Sequence, residues 1–114
     1  MVKYFLFIVL FPNISYADRI FLTNDDRLSG EIWKQTPQTA IISCEHGNYK
    51  LISRNIRSVE YAGTNRYRLM LNTGESTVIF PVKSESGELI YRKENDLLIS
   101  AQWSKIVFLR LIKK

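Results

Sequence analysis

Cys44, Glu45 and His46 place the chain's one thiol, a carboxylate and its one imidazole within three positions. A metal site needs several such ligands converging from different segments, and these three share one strand end. Cys44 reads instead as a small apolar residue of a strand, and His46 as an exposed turn residue beside Gly47. A reactive thiol would need a histidine or basic neighbour, and the sequence assigns none. Asp25 and Asp26 form an acidic pair, but Asn24-Asp25-Asp26 is turn chemistry, because Asn and Asp tolerate left-handed dihedrals and bond their own backbone. The spacing suggests no Ser-His-Asp arrangement, and there is no glycine-rich phosphate loop. The expectation is a protein that is not an enzyme and uses no cofactor and no metal.

The aromatic and arginine residues point to binding. Trp33, Tyr49, Tyr61, Tyr67, Tyr91 and Trp103 interleave with Arg54, Arg57, Arg66, Arg68 and Arg92. Aromatic and arginine side chains are the common anchors of binding surfaces. Most of these aromatics are assigned to a core or a strand edge. The candidate binding surface is Arg66, Tyr67, Arg68, Arg54, Arg57 and Trp33. Within it Arg66 and Arg68 leave one side of a strand and Tyr67 leaves the other. The formal charge of +5 draws such a surface toward anionic partners. The partners expected are an envelope protein or an anionic envelope component such as lipid headgroups or lipopolysaccharide.

That compartment follows from the first seventeen residues. Met1-Val2-Lys3 is short and basic, and Tyr4 to Phe11 is almost purely apolar. Ser15-Tyr16-Ala17 then puts small residues where a signal peptidase reads. Residues 1–17 are expected to be a signal peptide, the mature chain to start at Asp18, and the protein to be secreted to the periplasm or envelope. The apolar stretch is too short to span a membrane as a mature helix. With one cysteine, no internal disulfide can form.

The elements that must position the candidate residues are strands. Ile20 and Leu22 alternate with Phe21 and Thr23, and beyond the turn Leu28, Gly30 and Ile32 share one face. Gly30 inside a strand signals a bulge or a close backbone approach. Strands are expected over residues 18–23, 28–35, 39–45, 49–53 and a short run ending near Tyr61. Pro37 and Gly47-Asn48 mark breaks between them, and Ile56 and Val59 suggest one helical turn. Ala62-Gly63-Thr64-Asn65 reads as a joint. The plan then repeats over residues 66–71, 76–82, 88–92, 97–102 and 107–112, with Ser84-Glu85-Ser86-Gly87 as a polar loop. At an offset of about fifty residues, Ile20 and Leu22 match Leu69 and Leu71, and Ile56 and Val59 match Ile106 and Leu109. A unit of about 45 residues makes a poor core alone, so two such units must pack together. The predicted fold is all-β. It comprises two tandem small SH3-like or Sm-like five-stranded barrel units, 18–61 and 66–114, joined by 62–65. An edge strand of such a unit makes a homo-oligomer an open possibility.

The spacing Leu22-x-Asn24-x-Asp26-x-Leu28-x-Gly30 resembles the N-terminal region of exported bacterial proteins of the salt-induced outer-membrane type. There a Leu-x-Asn-Gly-Asp-x-Leu-x-Gly hairpin opens a small barrel and a Trp-x-x-Ile segment closes it. Trp103-Ser104-Lys105-Ile106 looks like that closing segment, and Asp25 stands where the family has Gly. The resemblance covers the family's small-barrel region and not its membrane barrel, so no function of that membrane barrel is expected from it. A weaker resemblance joins Arg54-Asn55-Ile56-Arg57-Ser58-Val59 to the second motif of Sm-like RNA-binding rings, without the Gly that normally follows the Arg. The resulting expectation is an exported, non-enzymatic binding or interaction module. The alternatives are an Sm-like RNA-binding ring, which export disfavours, and a small hydrolase whose site the sequence does not reveal.

Overall fold

The computed structural model describes residues 17–94 and 97–112. Ten strands follow in chain order: β1 (Asp18–Leu22), β2 (Arg27–Gln35), β3 (Thr39–Cys44), β4 (Gly47–Ile52), β5 (Ile56–Glu60), β6 (Tyr67–Leu71), β7 (Ser76–Glu85), β8 (Glu88–Arg92), β9 (Leu98–Gln102) and β10 (Ile106–Leu111). Single 3₁₀ turns, Ser53–Asn55 and Trp103–Lys105, lead into β5 and β10. The protein is all-β, as the alternating pattern predicts. The expected signal peptide falls almost wholly on residues 1–16, outside the described residues. Asn95, Asp96, Lys113 and Lys114 lie outside them too.

Two local expectations change. The helical turn comes at Ser53–Asn55, before Ile56 and Val59, which both belong to β5. A register shift between Phe21 and Leu22 of the paired β1 lets residues three apart both face inward, which mimics a helical period. Ser84 and Glu85 extend β7 and do not form a loop. Pro81 sits inside that strand, where its missing donor is accommodated by the register shift between Pro81 and Lys83.

Every strand pairing is antiparallel. The circuit β1-β5-β7-β6-β10-β2 closes on itself through β1–β2, giving a six-stranded barrel. The hairpin β3–β4 extends from β2, and β8–β9 extends from β7. The expectation of two small barrels is corrected here to one barrel, to which each half gives three strands. The cause is the last strand of each half. β5 pairs with its own β1 and with β7 of the other half, and β10 pairs with its own β6 and with β2. Sharing the barrel lets two short units bury one core that neither could enclose alone. Ile20, Ile32, Ile42 and Val59 meet Leu69, Ile79, Leu89 and Leu109 there, all essentially inaccessible to solvent.

The internal repeat is visible in the pairing. Exchanging β1–β5 with β6–β10 leaves every strand pair in place. Equivalent residues differ by 49 up to β3 and β8, and by 50 at β5 and β10. The turn bonds follow the same rule. Leu22 N–H donates to Asp26 O and Leu71 N–H to Glu75 O, both at 2.9 Å, and Thr23 N–H to Asn55 O matches Asn72 N–H to Lys105 O. Asp25 stands opposite Gly74, and both have positive φ, 73° and 95°, so the turn keeps the left-handed residue that Asp tolerates.

Candidate binding surface

Tyr67 is the first residue of β6, and Asp18 is its counterpart in β1. The two meet in the core. Asp18 is 2% exposed. Its Oδ2 accepts from Ile32 N–H at 2.9 Å and its Oδ1 from Ala62 N–H at 2.8 Å. The Tyr67 hydroxyl donates to Ile32 O at 2.6 Å and lies 3.2 Å from Asp18 Oδ2. Burial pushes the Asp18 carboxyl above its usual value, and the three hydrogen bonds reverse only part of that. Burial and the Asp18 charge together push the Tyr67 hydroxyl up. Tyr67 is therefore withdrawn from the surface set: it is a core residue, because alternation points it inward while Arg66 and Arg68 point out.

Tyr61 packs edge-on against Tyr67 with centroids 6.2 Å apart, and its hydroxyl donates to the buried Gln35 side chain. Beside Gln35 lies a cavity of about 150 Å³, also lined by Arg57, Ser84, Glu85 and Trp103. Ser84 Oγ accepts from Trp103 Nε1–H at 2.8 Å. A donor aimed at Ser84 in this way activates no nucleophile, since the hydroxyl needs a base to take its proton. His46 is exposed in the turn after β3 and is not among the residues lining this cavity. Cys44 is half-buried against the core, and desolvation raises its thiol pKa. Among the described residues no group of three or more His, Cys, Asp and Glu converges as a metal site would.

The arginines divide between two places. Arg57 occupies the β5 bulge, lines the Trp103 cavity and pairs with Asp25 of the β1–β2 turn. Arg54 is exposed on the preceding 3₁₀ turn. Arg66 is exposed just before β6, and it joins two open surface depressions of about 600 and 470 Å³ that share Arg66 and Phe80. Lys93 and Glu94 line one, and Glu31, Thr64 and Asn65 line the other. Arg92 stacks on Phe80, 5.0 Å from the ring centroid, and donates to Gly63 O at 3.4 Å. Arg68 is half-buried and donates to Ser76 Oγ at 3.2 Å. Trp33 is 44% exposed at the β2 register shift.

Phe80 is the residue the sequence reading missed. It shares the parity of Val78 within the expected 76–82 strand, but only the β7–β8 pairing sets Arg92 against it. Of the other aromatics, Tyr61, Tyr91 and Trp103 are buried and Tyr49 is exposed.

No protein-family model, no curated protein and no solved structure matches this chain. The functional reading therefore rests on the residues themselves.

Proposed function

We propose that this chain is an exported, non-enzymatic binding module of the bacterial periplasm or cell envelope, and that it holds an anionic envelope component at the Arg66 side of the barrel. The observation carrying the reading is the joint at Arg66 and Phe80. The exposed Arg66 lines two depressions that share Phe80, the ring on which Arg92 stacks. Guanidinium groups pair with carboxylate and phosphate in two-pronged geometry, and an ordered aromatic floor limits the side-chain freedom lost on binding. Export is supported by the position of β1, which starts at Asp18, directly after the expected cleavage point.

The test is expression in a Gram-negative host, followed by fractionation and intact-mass measurement. A species starting at Asp18 and sedimenting partly with envelope membranes is expected. Arg66→Glu should shift most of it to the soluble periplasmic fraction. A full-length cytoplasmic species starting at Met1 sinks the reading and moves the Sm-like RNA-binding alternative to first place.

A further inference from the structure

The outer surface of the barrel carries the same row of paired positions twice, once in each half. In the sheet built on β2, β10 and β6 the row reads Lys50, Ile41, Lys34, Arg110, Arg68, Val78 across β4, β3, β2, β10, β6 and β7. Four of its six residues are cationic. Three of them, Lys34, Arg110 and Arg68, are direct neighbours in register. Among the described residues, none of the four cations lies within ion-pair distance of a carboxylate. Strands lie about 4.8 Å apart, so the row from Lys50 to Arg68 spans about 19 Å.

The internal repeat supplies a control within the same molecule. The equivalent row in the other sheet reads Ser100, Ile90, Lys83, Glu60, Arg19, Ser29 across β9, β8, β7, β5, β1 and β2. Every pairing is the same, and the backbone makes the same demands. At its centre stands Glu60 where the first row has Arg110. Glu60 pairs in register with Lys83 and Arg19 and forms an ion pair with Arg19 at 3.8 Å. One face thus alternates its charges, while the other aligns like charges that repel. Phe108 relieves part of that repulsion, with Lys34 Nζ 5.7 Å and the Arg110 guanidinium 5.1 Å from its centroid. The fold does not need the row of four cations, since it tolerates one of alternating charge, with two cations and one carboxylate, fifty residues away.

The cationic face also carries more of the exposed large apolar residues, four against Leu98, which shares the parity of Ser100 on the other face. Ile52 (51% exposed) and Val78 (38%) share its parity, and Val107 (46%) and Trp33 (44%) stand at its register shifts. Their counterparts on the other face are Gln102, Ser29, Arg57 and Val82. Added cations alone would suit any polyanion. Added cations together with exposed aliphatic and indole groups suit a bilayer interface, where Lys and Arg meet headgroup phosphates and Trp sits at headgroup depth.

We propose that this outer face, centred on Lys34, Arg110 and Arg68, docks the protein on an anionic lipid surface. The proposal rests on the envelope-binding reading above and names its ligand class. Arg66 lies just before β6, two residues ahead of Arg68, so its depressions adjoin the face and would take individual headgroups.

The experiment is flotation of the purified protein with vesicles of phosphatidylcholine mixed with phosphatidylglycerol, against phosphatidylcholine alone. Binding only to the mixed vesicles, weakening as salt rises, is expected. Arg110→Glu copies the arrangement at Glu60, so it should fold with no loss of thermal stability. It should weaken vesicle partition about thirtyfold, from a charge change of two at the surface. Lys83→Glu makes the same change in net charge on the opposite face and should leave partition within about twofold, because charges beyond a Debye length are screened. Equal losses in the two variants would overturn the face assignment. Binding to polyphosphate in solution without binding to vesicles would overturn the lipid assignment in favour of a soluble polyanion. An exported protein that ignores anionic vesicles sinks this proposal alone, whereas vesicle binding by a protein that stays cytoplasmic sinks the envelope reading alone.

Discussion

Asp18→Ala is expected to destabilise the protein by about 3 kcal/mol. The carboxylate accepts from two backbone donors, Ile32 N–H and Ala62 N–H, in strands and loops far apart in sequence. Removing it orphans both, at about 1–3 kcal/mol for each buried donor. Ala62 is only partly buried, so water can satisfy its N–H, and relief of the desolvated charge offsets part of the remainder. Against a typical total of about 5–15 kcal/mol, the loss is large enough to read directly in urea unfolding. A change below about 0.5 kcal/mol, the scatter of ordinary surface substitutions, would refute the role.

Asp18 also sets a pH signature. Its carboxyl pKa is raised above 3.8 in the folded protein, so the folded state holds the proton over a pH window where the unfolded state has released it. The Asp18 contribution to stability must then fall as pH rises from 3.8 through the raised value, and stay flat beyond it. Asp18→Asn has no proton to release there. The stability of the native protein minus that of Asp18→Asn should therefore decrease with rising pH across that window. An increase would mean that the hydrogen bonds outweigh burial at this site.

Gly30→Ala is expected to cost about 3 kcal/mol or to prevent folding. A Cβ at position 30 would lie 2.1 Å from Ser43 O, 2.9 Å from Ser43 C and 3.1 Å from the Cys44 Cα. All three are backbone atoms of β3, which is held on both edges by β2 and β4. No side-chain rotation relieves the contact, so a paired strand must move, and overpacking of that kind reaches the upper end of the usual 1–3 kcal/mol or beyond it. The equivalent residue in the second half is Ile79, fully buried. The two halves share pairings but not interior shape: at position 30 the β3 backbone fills the space a side chain would need. A Gly30→Ala protein with native thermal stability would show that β3 can be displaced freely.

Most of the secondary structure was legible because strand alternation is a local signal. The Ile20–Leu22 and Leu28–Ile32 runs show their inward faces without reference to any partner. Asn24-Asp25-Asp26 marks its turn because left-handed backbone selects for such residues. The glycine at position 30 signalled a bulge or a close approach, and it is the close approach, to the Ser43 and Cys44 backbone, that occurs. Errors came where pairing bends the local rule. The bulge at Arg57, between Ile56 and Val59, imitated a helical turn, and Pro81 concealed the length of β7.

The candidate site was legible only in part. Arg66 and Arg68 were placed on one side of a strand from parity alone. Tyr67 was read with them, although the same parity turns it inward onto Asp18, and no local pattern shows that an aspartate at the edge of an apolar segment will be enclosed. By itself the sequence determined the strands, their turns and the repetition of a five-strand plan, because those depend on neighbours a few residues away. Only the tertiary structure decided that the two halves close one barrel. Only the order of strands in that barrel brings Lys34, Lys50, Arg68 and Arg110 into a single row, and sets Arg110 where its counterpart is Glu60. Pairing between distant strands depends on which edges remain free after each half has folded, and that is a property of the whole chain.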